Sequence, residues 1–357
     1  MAQLCHPRDV FVSNGEIFIC DTQNHRVRKV LRNGQIVTIC GTGIRGYNGD
    51  HILATNAQID WPHSIFVSSS DQVYISGGHR IRKIDQNGII STIAGTGIPG
   101  YDGDDQLAIH AKLCDPSGLF VTEDEEVLFA DEMNYRIRKI DRNGIITTIA
   151  GTGNAKRESG DGDGKLATSI SLFFPTSVFK YGNDIFIADN ANHRIVEVDQ
   201  NGMVIGTAID LTSIDSIFVH NDEVYFTDGM YVVYKLQPND GTMSIIAGTP
   251  YEVGCNGDDM LATECKFRGP RGIFIDTDSQ IYIADTNNHC IRRIDRNGMI
   301  SVIVGTQGEK GYSGDVPFDF HKYPHIGRKK KQPIKPFPQA YHDLIVICRE
   351  DINSNNI

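Results

Sequence analysis

The side chains best suited to chemistry lie in six short segments that each end in a phenylalanine. Two and three positions before that phenylalanine stand Arg8 and Asp9, His63 and Ser64, Ser117 and Gly118, Thr176 and Ser177, Asp215 and Ser216, and Arg271 and Gly272. A single histidine in this set excludes a three-histidine zinc site. Asp9, His63 and Asp215 remain able to form an oxygen-rich metal site, whereas the same residues with Arg8 and Arg271 also suit a small ligand or peptide.

A second set of candidates lies in five glycine-rich segments that end in aspartate, at 46–50, 100–104, 159–163, 254–258 and 311–315. Asp161 and Asp163 are the candidate calcium ligands, because carboxylates and exposed carbonyls bind hard cations. No twelve-residue loop ending in glutamate is present, so we expect no metal or other cofactor. The final aspartate of each segment is predicted to cap a short helix, and Tyr47, Tyr101 and Tyr312 are predicted as aromatic anchors for a partner.

The elements that position these residues form a repeat. Successive phenylalanines are 55, 54, 59, 39 and 56 residues apart, and in five copies a proline precedes the phenylalanine by four residues. Each copy continues with alternating apolar and polar runs, which predict strands. Turns such as Asn33-Gly34 join the last two runs, and a two-residue hairpin of this kind requires positive φ at both residues.

Repeats of this length with four strands each are typical of propeller blades. The sequence therefore predicts an all-β fold, a six-bladed β-propeller of four-stranded antiparallel blades over 1–315. The blades are expected near 5–41, 58–95, 112–151, 173–209, 212–248 and 267–305. Residues 316–357 are predicted to be a flexible, basic, proline-containing tail.

Charge and composition narrow the classes of partner. The formal charge is -11, and the repeat region is more acidic still because 7 basic and 4 acidic residues follow Asp315. An acidic body argues against nucleic acid as the main partner. No signal segment, membrane-spanning run or Asn-x-Ser/Thr acceptor site occurs, so a cytoplasmic, monomeric chain with no membrane contact is expected. The dispersed cysteines are interpreted as buried apolar side chains.

The turn between the second and third strands carries a recurring motif, which begins Asp21-Thr-Gln-Asn24-His25-Arg26 in the first copy. Similar sequences begin at Asp131, Asp189 and Asp285. The chain thereby resembles the NHL-repeat family, with departures in the second copy, at Ser76-Gly-Gly-His79, and in the fifth, at Asp228-Gly-Met-Tyr231. The resemblance implies a six-bladed propeller that binds proteins or RNA, and related propellers include lyases and lactonases. Because the motif recurs in most blades, its residues are interpreted as scaffold.

We therefore expect a non-catalytic binding module or scaffold that recognises protein partners through propeller loops and the channel mouth. One alternative is a metal-dependent lyase or hydrolase that uses Asp9, His63 and Asp215 in the central channel. The other is RNA binding, which requires a contiguous basic surface with exposed aromatic side chains. Basic residues alternate in direction along the third strands, so at most half of them could share a face: Arg28, Lys29, Arg82, Lys83, Arg138, Lys139, Arg292 and Arg293.

Overall fold

The alternating runs form strands in the computed structural model, which describes residues 2–157, 162–208, 213–236 and 242–313. The first three sheets consist of β1 (Pro7–Ser13), β2 (Glu16–Asp21), β3 (Arg26–Val30) and β4 (Ile36–Cys40); β5 (Ile52–Leu53), β6 (Ser64–Val67), β7 (Val73–Gly77), β8 (Arg80–Ile84) and β9 (Ile89–Ala94); and β10 (Gln106–Leu107), β11 (Pro116–Val121), β12 (Val127–Asp131), β13 (Arg136–Ile140) and β14 (Ile145–Ala150).

The last three sheets consist of β15 (Pro175–Tyr181), β16 (Asp184–Asp189), β17 (Arg194–Val198) and β18 (Val204–Ala208); β19 (Ser216–His220), β20 (Glu223–Thr227), β21 (Val233–Leu236) and β22 (Met243–Ala247); and β23 (Met260–Leu261), β24 (Pro270–Ile275), β25 (Ile281–Asp285), β26 (Cys290–Ile294) and β27 (Met299–Val304). One-turn 3-10 helices follow strands at Thr22–Asn24, Ala54–Asn56, Ala108–His110, Glu132–Asn134, Ala167–Ser169, Asn190–Asn192, Ala262–Glu264 and Thr286–Asn288.

The six sheets form a closed ring, so the predicted six-bladed propeller is confirmed. In every sheet the four long strands pair in sequence order as an antiparallel meander. The first long strands of neighbouring blades, β1, β6, β11, β15, β19 and β24, contact one another around the axis, and β24 returns to β1. Each blade takes its four long strands from consecutive stretches of the chain, and within the described ranges no strand is exchanged to close the ring.

The hydrophobic core is divided among the gaps between blades. One cluster joins Phe18 and Val27 of the first blade to Ile65 and Ile75 of the second, and another joins Tyr282 of the sixth blade to Val10 of the first. Such a blade cannot bury both faces alone, so each depends on its neighbours for its apolar contacts. Cys20 and Cys40 are fully buried in the first of these clusters, as expected for small apolar side chains.

Three blades carry an additional short strand at their outer edge, which the sequence did not predict. The glycine-rich segment between the first and second blades supplies β5, and Ile52 pairs with Ile90 of β9. The chain then turns at Ala54, whose carbonyl accepts a hydrogen bond from Gly41 of the preceding blade. These segments therefore link the outer edge of one blade to the end of its predecessor.

The turns between the third and fourth strands differ from the prediction. Gly34 has φ +81°, but Asn33 is not in the positive-φ region. The Gly34 amide donates to the Leu31 carbonyl at 2.8 Å, so the turn spans four residues and only its last needs a left-handed conformation. The expectation of positive φ at both residues was wrong, because three residues, 32–34, lie between the paired Leu31 and Gln35, one more than in a two-residue hairpin.

Candidate functional site

The first strands enclose a cavity of about 240 Å³ at one end of the central channel. All five predicted residues from the segments before the phenylalanines, Arg8, Asp9, His63, Asp215 and Arg271, line this cavity. We call this cavity the channel mouth. The same face of the ring carries the motif turns and the ends of the fourth strands, because β1 and β2 pair Pro7 with Asp21 and β3 and β4 pair Val27 with Cys40.

A ring of six aromatic side chains forms the floor of the mouth. Neighbouring ring centroids are 4.6 to 5.2 Å apart, and the circle is closed by Phe11, Phe66, Phe120, Phe179, Phe218 and Phe274. Tilted and edge-on contacts at these distances are favourable for aromatic pairs. The cavity is therefore apolar below and polar above.

Hydrogen bonds tie neighbouring first strands together between the floor and the mouth. The Asp9 carboxylate accepts from the Ser64 hydroxyl at 2.7 Å and from the Ile65 amide at 2.9 Å. Burial nevertheless raises the pKa of Asp9 to about 6. The hydroxyls of Ser117 and Thr176 donate to carbonyls of the next blade. Asp9 is thus occupied by the joint between two blades.

The two arginines of the mouth differ in whether they have an acidic partner. Arg271 donates through one nitrogen to Asp215 at 3.3 Å. The Arg8 guanidinium makes no hydrogen bond or ion pair within the described ranges. Burial and the nearby Arg271 charge lower the pKa of Arg8, while Asp215 and Glu132 oppose them. An arginine remains a cation even so, so Arg8 places a partly buried positive charge in the mouth.

Glu132 is a mouth residue that sequence reasoning missed. It follows the motif aspartate Asp131 at the start of a one-turn helix and lines the cavity. Burial raises its pKa to about 7 against the attraction of Arg8, and Asp115 and Asp215 add to the rise. At the equivalent place the other motifs have Thr22, Gly78, Asn190, Gly229 and Thr286. Glu132 is the one acid at this position of the motif, and that difference could have identified it from the sequence.

His63 is the one imidazole of the mouth. Burial lowers its pKa well below the usual value, and the positive charges of Arg8 and Arg271 lower it further. Its Nδ1 atom is buried without a hydrogen-bond partner in the described part of the chain.

The motif residues are structural. The buried Asp21 carboxylate accepts from the Cys5 amide, Asn24 and Arg28 at 2.7, 2.8 and 3.2 Å. Burial raises the pKa of Asp21 to about 6, while these donors favour its charged form. Equivalent sets surround Asp131 and Asp285. Asp189 also accepts from an amide, an asparagine and an arginine, but its arginine, Arg194, occupies the position of Arg26.

Three motif histidines have a left-handed backbone conformation, and their side chains connect adjacent blades. His25 has φ +49°, and its Nδ1 accepts from the Trp61 amide of the next blade at 3.4 Å. His79 and His289 accept in the same way from the amides of Asp115 and His6, at 3.1 and 3.2 Å. The scaffold interpretation of the motif agrees with these contacts.

The predicted tyrosine anchors lie outside the channel mouth. Tyr47 packs against Arg80, Tyr101 against Arg136 and Tyr312 against Arg26, with guanidinium carbons 3.8 to 4.0 Å from the ring centroids. Each ring is about two-fifths exposed. These stacked pairs fasten the glycine-rich segments to a blade, and a role as partner anchors stays a prediction.

Asp50 and Asp104, which end two of the glycine-rich segments, do not cap the helices that follow, and Asp315 lies outside the described residues. Asp50 accepts from Arg82 and from Thr92, each at 3.0 Å, and Asp104 makes the same contacts with Arg138 and Thr148. The short helices that follow have no side-chain cap. The capping prediction was wrong because these carboxylates reach a buried arginine far along the chain.

The metal alternatives receive no geometric support. Within the described ranges, no three histidine, cysteine, aspartate or glutamate side chains are grouped so that they could hold a metal ion. Asp9 bonds to Ser64 and Asp215 to Arg271, so these two carboxylates are used within the protein. Asp163 lies in the described chain, whereas Asp161 and the predicted tail at 316–357 lie outside it.

The basic surface that RNA binding requires does not form from the strand residues. Arg28, Arg138 and Arg292 are fully buried, and Lys29 pairs with Glu16. No helix in the described part of the chain is long and apolar enough to cross a lipid bilayer.

The repeats match the models of known protein families. The model of the teneurin NHL domain matches residues 40–98, 99–208 and 246–317, and the NHL repeat model matches residues 4–30. Teneurin-4 of Homo sapiens is 25% identical over 375 residues, which cover 88% of this chain and 13% of that protein. Teneurin-1 of Gallus gallus is 26% identical over 282 residues, covering 64% of this chain and 10% of that protein. The chain thus spans about a tenth of the length of these relatives.

Solved structures share the fold at low sequence identity. The streptogramin B lyase structure superposes with a TM-score of 0.54 at 15% identity, covering 87% of this chain and 85% of the other. The gluconolactonase of Xanthomonas campestris gives a TM-score of 0.55 at 10% identity, with coverage of 84% and 87%. Likeness at this level of identity shows the propeller fold alone.

Proposed function

The chain belongs to the teneurin NHL domain family, and from that premise we propose that it is a non-catalytic binding module that recognises a protein partner with the channel mouth and the loops around it. The observation that carries this proposal is the mouth itself. It combines polar groups lacking full partners, in Arg8 and His63, with an apolar floor on a rigid ring. A binding site needs such unsatisfied groups above an apolar surface.

The distribution of side chains supports binding over catalysis. The carboxylates of Asp9 and Asp215 already bond within the protein. Glu132 and His63 both line the cavity, and no hydrogen bond joins them in the described part of the chain. The acidic body and the burial of the strand arginines argue against nucleic acid and favour a protein partner.

The proposal is tested by affinity capture with three purified forms of the chain. One form is intact, and one carries Arg8→Ala, His63→Ala and Asp215→Ala in the mouth. The matched control carries Arg32→Ala, His220→Ala and Asp278→Ala, which have the same residue types on the opposite face of the ring. Circular dichroism melts establish that all three are folded.

We expect a partner protein that the intact chain and the control retain and that the mouth variant loses. A partner lost only by the control would place recognition on the opposite face and contradict the proposal. A chain that binds no protein but turns over a small molecule would also contradict it.

A further inference from the structure

We propose that the channel mouth binds the C-terminal residue of a partner chain, with the terminal carboxylate on Arg8 and Arg271 and an apolar last side chain above the phenylalanine ring. This inference rests on the proposed function for the source of the peptide. It further specifies which part of the partner enters the mouth.

The positive side of the mouth lies on two adjacent blades. Arg8 belongs to β1 and Arg271 to β24, and these strands contact each other. Arg271 uses one guanidinium nitrogen on Asp215, and its side chain is 35% exposed. The other nitrogens of Arg271 and the fork of Arg8 can therefore donate to an anion, and planar forks suit the two oxygens of a carboxylate.

The charge of the mouth favours a monoanion over a dianion. Asp215 pairs with Arg271, and the Asp9 and Glu132 carboxyls attract Arg8 without forming an ion pair with it in the described ranges. A phosphate dianion would add a second negative charge beside Asp215 and Glu132, and like charges at close range are unfavourable. A carboxylate supplies one negative charge and is the better match.

A C-terminal residue can meet both parts of the mouth at once. Its carboxylate and its side chain are attached to the same carbon, so the carboxylate can contact the arginines while an apolar side chain lies above the phenylalanine ring. An internal aspartate or glutamate carries its carboxylate at the end of the side chain and has no apolar group to place on the ring.

The floor indicates the class of the last side chain. The phenylalanine ring is apolar, and a cavity of about 240 Å³ accommodates one residue of leucine or phenylalanine size together with its carboxylate. An apolar terminal residue leaves no polar atom unpaired against these rings.

Isothermal titration with three synthetic hexapeptide pools tests the inference. The pools are acetylated at the N-terminus and randomised at the first five positions. One pool ends in leucine or phenylalanine with a free carboxylate, one has the same ends as amides, and one is amidated with an internal glutamate. The proteins are the intact chain, Arg8→Gln, Arg8→Lys and, as control, Arg32→Gln, with melting curves to verify folding.

We expect the free-carboxylate pool to bind the intact chain and Arg32→Gln at least about tenfold more tightly than either amidated pool. Arg8→Gln removes this preference, and Arg8→Lys restores it in part because the charge returns without the fork. Equal affinity of the three pools, no binding of any pool, or an unchanged preference in Arg8→Gln would each overturn the inference. A captured partner that depends on the mouth but still binds after its last residues are removed overturns this inference and leaves the proposed function standing.

Discussion

Glu197 breaks a charge pattern that recurs in the third strands. Lys29, Lys139 and Lys235 occupy the equivalent place and pair with an acid at the start of the second strand. In the fourth blade the acid at the start of the second strand is Asp184, so Glu197 faces another acid. Burial raises the pKa of Glu197 to about 8, and the charges of Asp184 and Asp163 add to the rise.

Replacing Glu197 by glutamine should make the protein less sensitive to alkaline pH. An acid whose folded pKa is raised stabilises the fold below its unfolded pKa, and this stability is lost as pH rises through the folded pKa. The free energy of unfolding of Glu197→Gln, relative to that of the original chain, should therefore increase by on the order of 3 kcal/mol as the pH rises from about 5 to about 8. Urea unfolding at both pH values measures it.

The matched control for Glu197→Gln is Glu223→Gln, which breaks the ion pair with Lys235 at 2.9 Å. That variant should show no comparable gain as pH rises. Parallel stability profiles for Glu197→Gln and the original chain would show that Glu197 is ionised when folded, contrary to this account.

Glu132 should make ligand binding depend on pH. The charged groups acting on it are Arg8, Asp115 and Asp215. A bound carboxylate favours the protonated form of Glu132, so binding takes up a proton and weakens as pH rises through about 7. In titrations from about pH 6 to about pH 8, affinity for the free-carboxylate pool should fall several-fold, and Glu132→Gln should abolish the fall. A steeper fall in Glu132→Gln would contradict this role.

At the scale of elements, the repeat pattern was enough to predict six blades, because period-two runs, turns and spacing specify each meander locally. The phenylalanine ring was not predicted, since it arises only when six first strands converge. Asp50 was misassigned for a similar reason, because its partner Arg82 belongs to another strand 32 residues away. The sequence thus identified five mouth residues but not Glu132, which reaches the cavity from a turn interpreted as scaffold.

The phenylalanine ring should contribute to stability through each member. Phe120 packs between Phe66 and Phe179, with centroids 5.2 and 5.0 Å away. Phe120→Ala removes both contacts and should lower the free energy of unfolding by about 3 kcal/mol, whereas Phe120→Leu should cost about 1 kcal/mol because most of the volume remains. Denaturant unfolding compares the two. Equal and negligible losses would show that the ring does not close the channel.

At the scale of the whole molecule, closure of the ring makes the mouth possible. The Gly311 amide donates to the Leu4 carbonyl at 3.0 Å, and Thr286 donates to the Pro7 carbonyl at 2.7 Å. These bonds join the sixth blade to the first, beside Arg8 and Arg271. The two arginines therefore come from opposite ends of the repeat region and meet only in the closed ring.

Trp61 offers a direct report on the mouth face, because it is the one tryptophan of the chain, is 37% exposed and lies two residues before His63. The decisive measurement is its fluorescence during titration with the captured partner. We predict a saturable change with the affinity that calorimetry gives, and none with the variant carrying Arg8→Ala, His63→Ala and Asp215→Ala. Calorimetric binding that leaves Trp61 fluorescence unchanged and persists in that variant would contradict recognition at the channel mouth.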